Sequence, residues 1–374
     1  MNMSESQKEN VVVLAAGGTG GHIFPAQALA ESLEAKGYYP VLVTDHRTGK
    51  YPTTFTGDNL YFIKCRSMNG GIFKKIVALF KNTIGYLQAR NIIKELKPIA
   101  VVGFGGYPSF PTMMAAVHLK QKTILHEQNS VLGRVNKLIA SKVGIIATAF
   151  TEVHHIKDKD RPKVHFVGNP IRKEIASLAS FTYPDLSDDG HYHILVTGGS
   201  QGAKIFGEVV PKAIALLPEN MRKRLRIDQQ CREAELDEAK KTYEEAGVDA
   251  DLAPFFKDMA SRLASAHLVI ARSGAGTVTE LAIAGKPSIL IPLPYAMDNH
   301  QYFNAAFLSE NGAAIRMPQK DFTAEQLAKV IETLLSNHNS LLKMSEKARS
   351  QSKADAVEAL TELVIEKQHN IKEK

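Results

Sequence analysis

A doubly wound α/β fold, built twice in one chain, is what this sequence predicts, and three observations carry the prediction. Short apolar runs alternate with longer helical patterns along almost the whole length. The runs are continuous rather than alternating, as expected of parallel strands covered on both faces. The two halves also echo each other: VVVLAAGGTGGHIFPA (11–26) and HILVTGGSQGAKIF (193–206) each read as strand, double glycine, small polar turn and helix.

In the first half the strand candidates are VVVLAA, YPVLVT, IAVVGF, TILHE and GIIAT; in the second they are HILVTGG, LRIDQQ, LVIARS and SILIPL. Between them lie helices such as AQALAESLEAKG, closed by Gly37 as a C-cap. The basic stretch GGIFKKIVALFKNTIGYLQARNIIKEL reads as one long helix. VHFVGNPIR looks like a last strand followed by a proline-marked crossing into the second half, and AVEALTELVIEK is an amphipathic segment with Val357, Leu360, Leu363 and Val364 on one face.

At 374 residues the chain exceeds one ordinary core, so two domains are expected. Hydrophobic content of 44% and charged content of 23% are those of a globular protein. The two cysteines, Cys65 and Cys231, have no ligand spacing, which argues against a disulfide framework or a zinc site and suits a reducing cytoplasm. MNMSESQKEN has no apolar signal core and reads as an unstructured extension. No stretch approaches the ~20 apolar residues of a membrane span. A formal charge of +7 fits nucleic acid, anionic lipid or phosphate-bearing ligands equally well, but its basic excess is concentrated between Lys64 and Lys97.

Four glycine-rich corners follow strands: GGTGGH (17–22), GFGGYPS (103–109), GGSQGAK (198–204) and RSGAGTVTE (272–280). Glycine removes Cβ, so main-chain N–H groups can approach a phosphate, and the next helix adds the positive end of its dipole. In open parallel sheets such strand ends border the ligand crevice. The absence of G-x-x-x-x-G-K-[ST] excludes a P-loop kinase or ATPase, and no corner carries G-x-G-x-x-G in register. Asp45 sits where a ribose-binding acid would in a dinucleotide fold, but without the fingerprint it reads as a strand-end or loop acid, with a dehydrogenase as the weaker alternative. Asp158 and Asp160 spell the D-x-D of some metal-dependent sugar transferases, yet the surrounding KDKDRPK favours a solvated loop. His22 stands where the first corner becomes a helix. The dipole there disfavours imidazolium and keeps a neutral base available near pH 7; a structural capping histidine is the plainer alternative.

Six segments, GGTGGHIFPA, GFGGYPS, HEQN, GGSQGA, RSGAGTVTE and DNHQYFNA, in this order and spacing, closely resemble the MurG family of bacterial glycosyltransferases. Those enzymes add N-acetylglucosamine to the lipid-linked muramyl pentapeptide of peptidoglycan synthesis. The resemblance implies a GT-B fold, with two Rossmann-like lobes and a cleft between them. Residues 1–168 would form the acceptor and membrane-facing lobe, joined by a returning helix at 354–370, and residues 169–353 the UDP-sugar lobe. Ser200 and Gln201 would meet the donor diphosphate, Gly274, Ala275, Gly276 and Thr277 would line its phosphate side, and Glu280 would accept both ribose hydroxyls. Phe256 falls at the uracil-contacting position, Arg172 at a nucleotide-contacting one, and Gln301 and Asn129 at positions that read sugar hydroxyls. Thr19, with Gly20 and Gly21, reaches the sugar-phosphate from the first lobe. Gly18, Gly105, Gly106 and Tyr107 would cradle the acceptor.

The resemblance further makes His22 the candidate general base for the C4 hydroxyl of the muramyl sugar in an inverting displacement, with Glu127 as second choice. It implies no metal and no cofactor. Ile72, Phe73, Lys74, Lys75, Ile76 and Phe80 would dock the protein on an anionic membrane surface, giving a cytoplasmic enzyme peripheral to the inner face of the cell membrane. Two further readings compete: a UDP-N-acetylglucosamine epimerase of similar architecture, which would act without an acceptor, and a non-catalytic nucleotide- or nucleic-acid-binding protein. The second has no helix-turn-helix or aromatic RNA-binding motif behind it, so nucleic acid is not an expected partner.

Overall fold

The computed structural model describes residues 10–17, 20–46, 55–68, 71–185, 190–199 and 202–366. It divides into two compact units, one holding the chain up to Arg172 together with the segment from Asp355, the other running from Lys173 to Ala354.

The first unit contains β1 (Val11–Ala15), α1 (Gly20–Ala35), β2 (Tyr39–Thr44), β3 (Leu60–Phe62), α2 (Ile72–Leu96), β4 (Ala100–Gly103), α3 (Ser109–His118), β5 (Thr123–Glu127), α4 (Arg134–Ile139), β6 (Ile145–Thr148) and β7 (Val164–Phe166). Among the described residues these strands form a parallel sheet of order β3-β2-β1-β4-β5-β6-β7. The continuous apolar run of β1 has a direct cause. Val11 and Val13 face one core with Ala89, Ile93 and Met113 from α2 and α3. Val12 and Leu14 face another with Ile23, Leu29 and Leu33 from α1. Both faces are covered, so no position on the strand can be polar without cost.

The second unit contains α5 (Lys173–Ala176), β8 (Tyr192–Thr197), α6 (Lys204–Ala215), α7 (Glu219–Arg222), β9 (Leu225–Gln230), α8 (Glu233–Ala246), β10 (Asp249–Ala253), α9 (Met259–Ser265), β11 (Leu268–Ala271), α10 (Ala275–Ala284), β12 (Ser288–Leu290), α11 (His300–Ser309), β13 (Ala314–Arg316), α12 (Ala324–Leu335) and α13 (His338–Ser350). Its sheet, of order β10-β9-β8-β11-β12-β13, is again parallel. The fold class read from the sequence, two Rossmann-like parallel-sheet lobes, is therefore the fold found.

The last described helix, α14 (Ala356–Ile365), belongs to the first unit. Leu360 and Val364 enter the core lined by α1, Thr361 donates to Ser32 at 2.9 Å, and Lys122 Nζ donates to the terminal carbonyls of Val364 and Glu366 at 3.2 and 2.5 Å. A lysine at that end complements both the unpaired carbonyls and the dipole of the helix. α1 ends as the sequence predicts: Gly37 has φ +81°, and Tyr38 N and Gly37 N close back on Leu33 and Glu34.

Candidate functional site

In the first unit the corner after β1 and the corner after β4 interlock. α1 begins at Gly20, so Gly20, Gly21 and His22 form its first turn rather than a free loop. His22 Nδ1 lies 3.0 Å from the carbonyl oxygen of Gly17. A carbonyl can only accept, so Nδ1 carries the hydrogen and Nε2 the lone pair. Gly105 and Gly106, at φ +92° and +78°, bring the second corner against this ring: a Cβ on Gly105 would stand 3.2 Å from His22 Nε2, and one on Gly106 only 2.3 Å from Gly17 O. Burial pushes the pKa of His22 below the ordinary histidine value, partly opposed by the bond to Gly17. Tyr107 stands half-buried beside the same turn. Gly18 and Thr19 lie outside the described residues, as do Met1 to Glu9 and Arg47 to Thr54.

The HEQN segment closes β5, and each residue has a distinct part. His126 is fully buried between Gly168 O, 3.0 Å from Nε2, and Gln128 Nε2, 3.0 Å from Nδ1, and burial takes its pKa down to about 4. Glu127 is 1% exposed. Its Oε1 accepts from Asn129 N and Nδ2 at 2.9 and 3.3 Å, and its Oε2 from Gly133 N at 2.8 Å and Asn136 Nδ2 at 2.7 Å. A carboxylate with both oxygens occupied this way ties residues 129–136 into one turn. Burial raises its pKa, opposed by those four donors. Both oxygens of Glu127 are thus engaged, and its bonds to Asn129 fix where that residue stands.

Two other sequence readings change or sharpen. Asp160 is not part of a solvated loop; it is 2% exposed, accepts from Ser141 Oγ at 2.5 Å and pairs with Lys163 at 3.2 Å, while Asp158 is exposed. The acid run is a local staple. Asp45 is a buried strand-end acid whose Oδ2 accepts from Cys65 Sγ at 3.4 Å. Among the described residues no cluster of His, Cys, Asp or Glu is arranged to hold a metal ion.

In the second unit, β8 runs into Gly198 and Gly199, and Gly199 N donates to Thr197 Oγ1 at 3.3 Å. Ser200 and Gln201, the residues next in that corner, lie outside the described residues. The corner after β11 is described in full. Arg272 is buried and ties this strand end to the next, donating to Ile291 O, Pro292 O and Gln319 Oε1 at 3.1, 3.3 and 2.7 Å. Gly274 is the extended N-cap of α10, whose first turn is Ala275, Gly276 and Thr277. The first hydrogen bond inside the helix is Val278 N to Gly274 O, so the N–H groups of 275–277 have no acceptor within it. Nothing lies within 4 Å of the point a Cβ would take on Gly276. A helix start of this kind suits an anion. Glu280 follows on the second turn, half-buried.

Gln301 braces the same corner. Its Oε1 accepts from Leu293 N at 3.0 Å, and its carbonyl accepts from Ser273 Oγ at 2.8 Å. Asn304, which sequence reading missed, is fully buried and donates to Ser273 O at 3.2 Å. Phe256 is buried at the carboxyl end of β10, under the guanidinium of Arg262 at 3.8 Å. Arg172 is exposed.

The basic helix α2 has two parts. Its buried residues, Ala78, Gly85, Ala89, Ile93 and Leu96, make one stripe, but its first turn and a half buries nothing. At this end Ile72, Phe73, Ile76 and Phe80 are 72%, 81%, 59% and 68% exposed, beside exposed Lys74, Lys75 and Lys81. A large apolar set here faces water beside three lysines. Among the described residues no helix is long and apolar enough to cross a membrane.

The glycosyltransferase family 28 N-terminal domain matches residues 12–148, and the C-terminal domain of the same family matches residues 193–360. The chain is 45% identical over 95% of its length to a Rhodospirillum centenum protein named UDP-N-acetylglucosamine--N-acetylmuramyl-(pentapeptide) pyrophosphoryl-undecaprenol N-acetylglucosamine transferase, covering 93% of it. It is 45% identical over 95% of its length to the Caulobacter vibrioides protein of the same name, covering 98% of that protein. Among solved structures, Acinetobacter baumannii MurG superposes with a TM-score of 0.77 at 30% identity, over 95% of this chain and 98% of that one. A Neisseria meningitidis UDP-GlcNAc 2-epimerase, at 12% identity and a TM-score of 0.62 over 94% of this chain and 99% of that one, shares the fold alone. With both family domains matched and relatives 45% identical over nearly its whole length, the chain belongs to glycosyltransferase family 28, among its MurG-type N-acetylglucosaminyltransferases.

Proposed function

We propose that this chain transfers N-acetylglucosamine from UDP-N-acetylglucosamine to the C4 hydroxyl of the muramyl sugar of undecaprenyl-diphospho-muramoyl-pentapeptide, converting lipid I to lipid II in peptidoglycan synthesis. The observation that carries this reading is the 45% identity, over 95% of the chain, to relatives named for that transfer. The epimerase alternative has only fold-level likeness behind it.

The second unit would hold the donor. Main-chain amides of Ala275, Gly276 and Thr277 meet its diphosphate, with Ser200 and Gln201 at the neighbouring corner. Glu280 accepts from the ribose hydroxyls, Gln301 reads the sugar and Arg172 contacts the nucleotide. The first unit would hold the acceptor diphosphate against Gly18, Gly105, Gly106 and Tyr107. We also assign Thr19, Gly20, Gly21 and Asn129 to the donor's sugar and its phosphate.

Chemically the reaction is one displacement. His22 Nε2 removes the proton from the acceptor hydroxyl as its oxygen bonds to the anomeric carbon, and the bond from that carbon to the UDP oxygen breaks with inversion. The bond from Nδ1 to Gly17 O leaves Nε2 as the proton-accepting nitrogen. Charge building on UDP is met by amides and the dipole at the start of α10.

The test is His22→Ala. Turnover should fall by about 10² to 10⁴, while calorimetric UDP affinity stays within about twofold. Because burial lowers the His22 pKa, the acid limb of kcat/KM in the parent enzyme should lie below pH 6.5 and vanish in the variant. Undiminished turnover would remove His22 from the role.

We place the enzyme as a peripheral protein on the cytoplasmic face of the cell membrane, docked through the bare start of α2. Attraction to an anionic leaflet is worth about 1 kcal/mol per basic residue near the surface, enough for reversible attachment. Co-sedimentation with vesicles should require anionic lipid, weaken with salt and fall when Phe73 and Phe80 become Ser. Binding indifferent to lipid charge and to salt would exclude this surface.

A further inference from the structure

Arg262 takes no part in the proposed transfer, yet it gathers carboxylates from three segments of the second unit. From α9 its Nε reaches Asp258 at 3.0 Å, one terminal nitrogen reaches Asp228 of β9 at 2.6 Å, and the other reaches Asp251 of β10 at 2.7 Å. Its plane covers the Phe256 ring, with Cζ 3.8 Å from the centroid. The side chain is 18% exposed. A guanidinium has one rigid plane and a fixed fork of donors, so carboxylates drawn from three segments determine where that plane lies. The ring beneath it is then determined as well.

What this fixes is a loop. Of residues 254–258, which follow the carboxyl end of β10, Phe256 alone is buried; Pro254, Phe255, Lys257 and Asp258 are exposed. Cys231 N holds the strand end at Ala253 O, 3.0 Å away, and beyond that point the ring of Phe256 is the loop's one buried anchor. Loops at this end of a parallel sheet border the ligand crevice.

We propose that Arg262 is a positioning residue for recognition of the donor's base: by clamping the Phe256 ring it holds the main chain of 255–257 in the conformation that reads uracil. The proposal rests on the assignment of Phe256 to the uracil position. Main-chain groups discriminate between bases only if their directions are set before the ligand arrives, because an unfixed loop turns to suit either pattern of donors and acceptors. Lysine cannot replace this arginine, since a point charge neither forks among three carboxylates nor stacks on a ring.

The test compares affinities for UDP, CDP and inorganic pyrophosphate in the parent enzyme, Arg262→Leu, Arg262→Lys and Phe256→Leu. Arg262→Leu should weaken UDP about tenfold and narrow the UDP-to-CDP ratio, with pyrophosphate binding unchanged. Donor KM should rise while kcat stays within about twofold, and Arg262→Lys should fail to restore the ratio. A cooperatively melting Arg262→Leu variant that keeps the parent ratio, or loses UDP and pyrophosphate equally, would overturn the proposal. Should that variant not fold, Phe256→Leu decides by the same two readouts, since it removes the ring and leaves the carboxylate contacts intact. A parent enzyme without affinity for UDP would instead sink the donor assignment beneath the proposal.

Discussion

The corner that follows β4 and the corner that opens α10 are both glycine-rich turns at the carboxyl end of a parallel strand, yet glycine serves opposite ends in them. After β4 the missing side chains make room for protein. A Cβ on Gly103 would stand 2.7 Å from Met113, one on Gly105 3.2 Å from His22, and one on Gly106 2.3 Å from a main-chain oxygen. In α10 they leave space empty: the nearest atom to a Cβ on Gly274 is 3.9 Å away, and on Gly276 there is none within 4 Å. The first corner spends its glycines on bringing two loops and a histidine together. The second leaves the space beside its glycines empty. Both look alike in sequence, since GFGGYPS and RSGAGTVTE are each strand, glycine, small residue and helix.

Substitution separates the two uses, and the larger effect belongs to the packed corner. Gly106→Ala places a methyl against Gly17 O at φ +78°, where an L-residue is already strained. Loss of about 3 kcal/mol of stability is expected, read as a lowered melting temperature, with turnover falling because His22 shifts with Gly17. A variant that melts like the parent would mean the corner relaxes freely, and the contrast would dissolve.

The smaller effect is expected at the open corner. Gly276→Ala adds a methyl to vacant space in a helical turn, so the melting temperature should hold or rise slightly, since alanine favours helix by about 1 kcal/mol over glycine. UDP affinity should nevertheless drop about tenfold as the methyl blocks the phosphate's approach. Normal UDP binding in Gly276→Ala would show that this opening is not where the diphosphate sits.

The same contrast marks how far the sequence could be read. Strands covered on both faces, such as β1 and β5, announce themselves as unbroken apolar runs, and the fold class follows from them. β3, β10 and β13 do not. β10 reads DADLA because it is an edge strand whose acids pair with Arg226 and Arg262, leaving no apolar signal. His22 could be singled out from its place at a helix start, but its tautomer depends on a carbonyl five residues back. Glu127 enters only through the family resemblance, and its surroundings could not be read from the sequence: two of its four donors come from Gly133 and Asn136, which only a folded turn brings round. Arg262 was invisible for the same reason, its partners lying on β9, β10 and the cap of its own helix.

The return of α14 to the first unit has a consequence for how the protein is made. Leu360 and Val364 are fully buried, in one core with Ile23, Leu29 and Leu33. On the ribosome the amino-terminal half emerges first, yet part of one face of its core stays uncovered until the last helix is out, whereas the stretch from Lys173 to Ala354 is continuous and can complete itself earlier. The half that is synthesised first is finished last, and a chain stopped at residue 354 would carry an apolar trough with nothing to fill it.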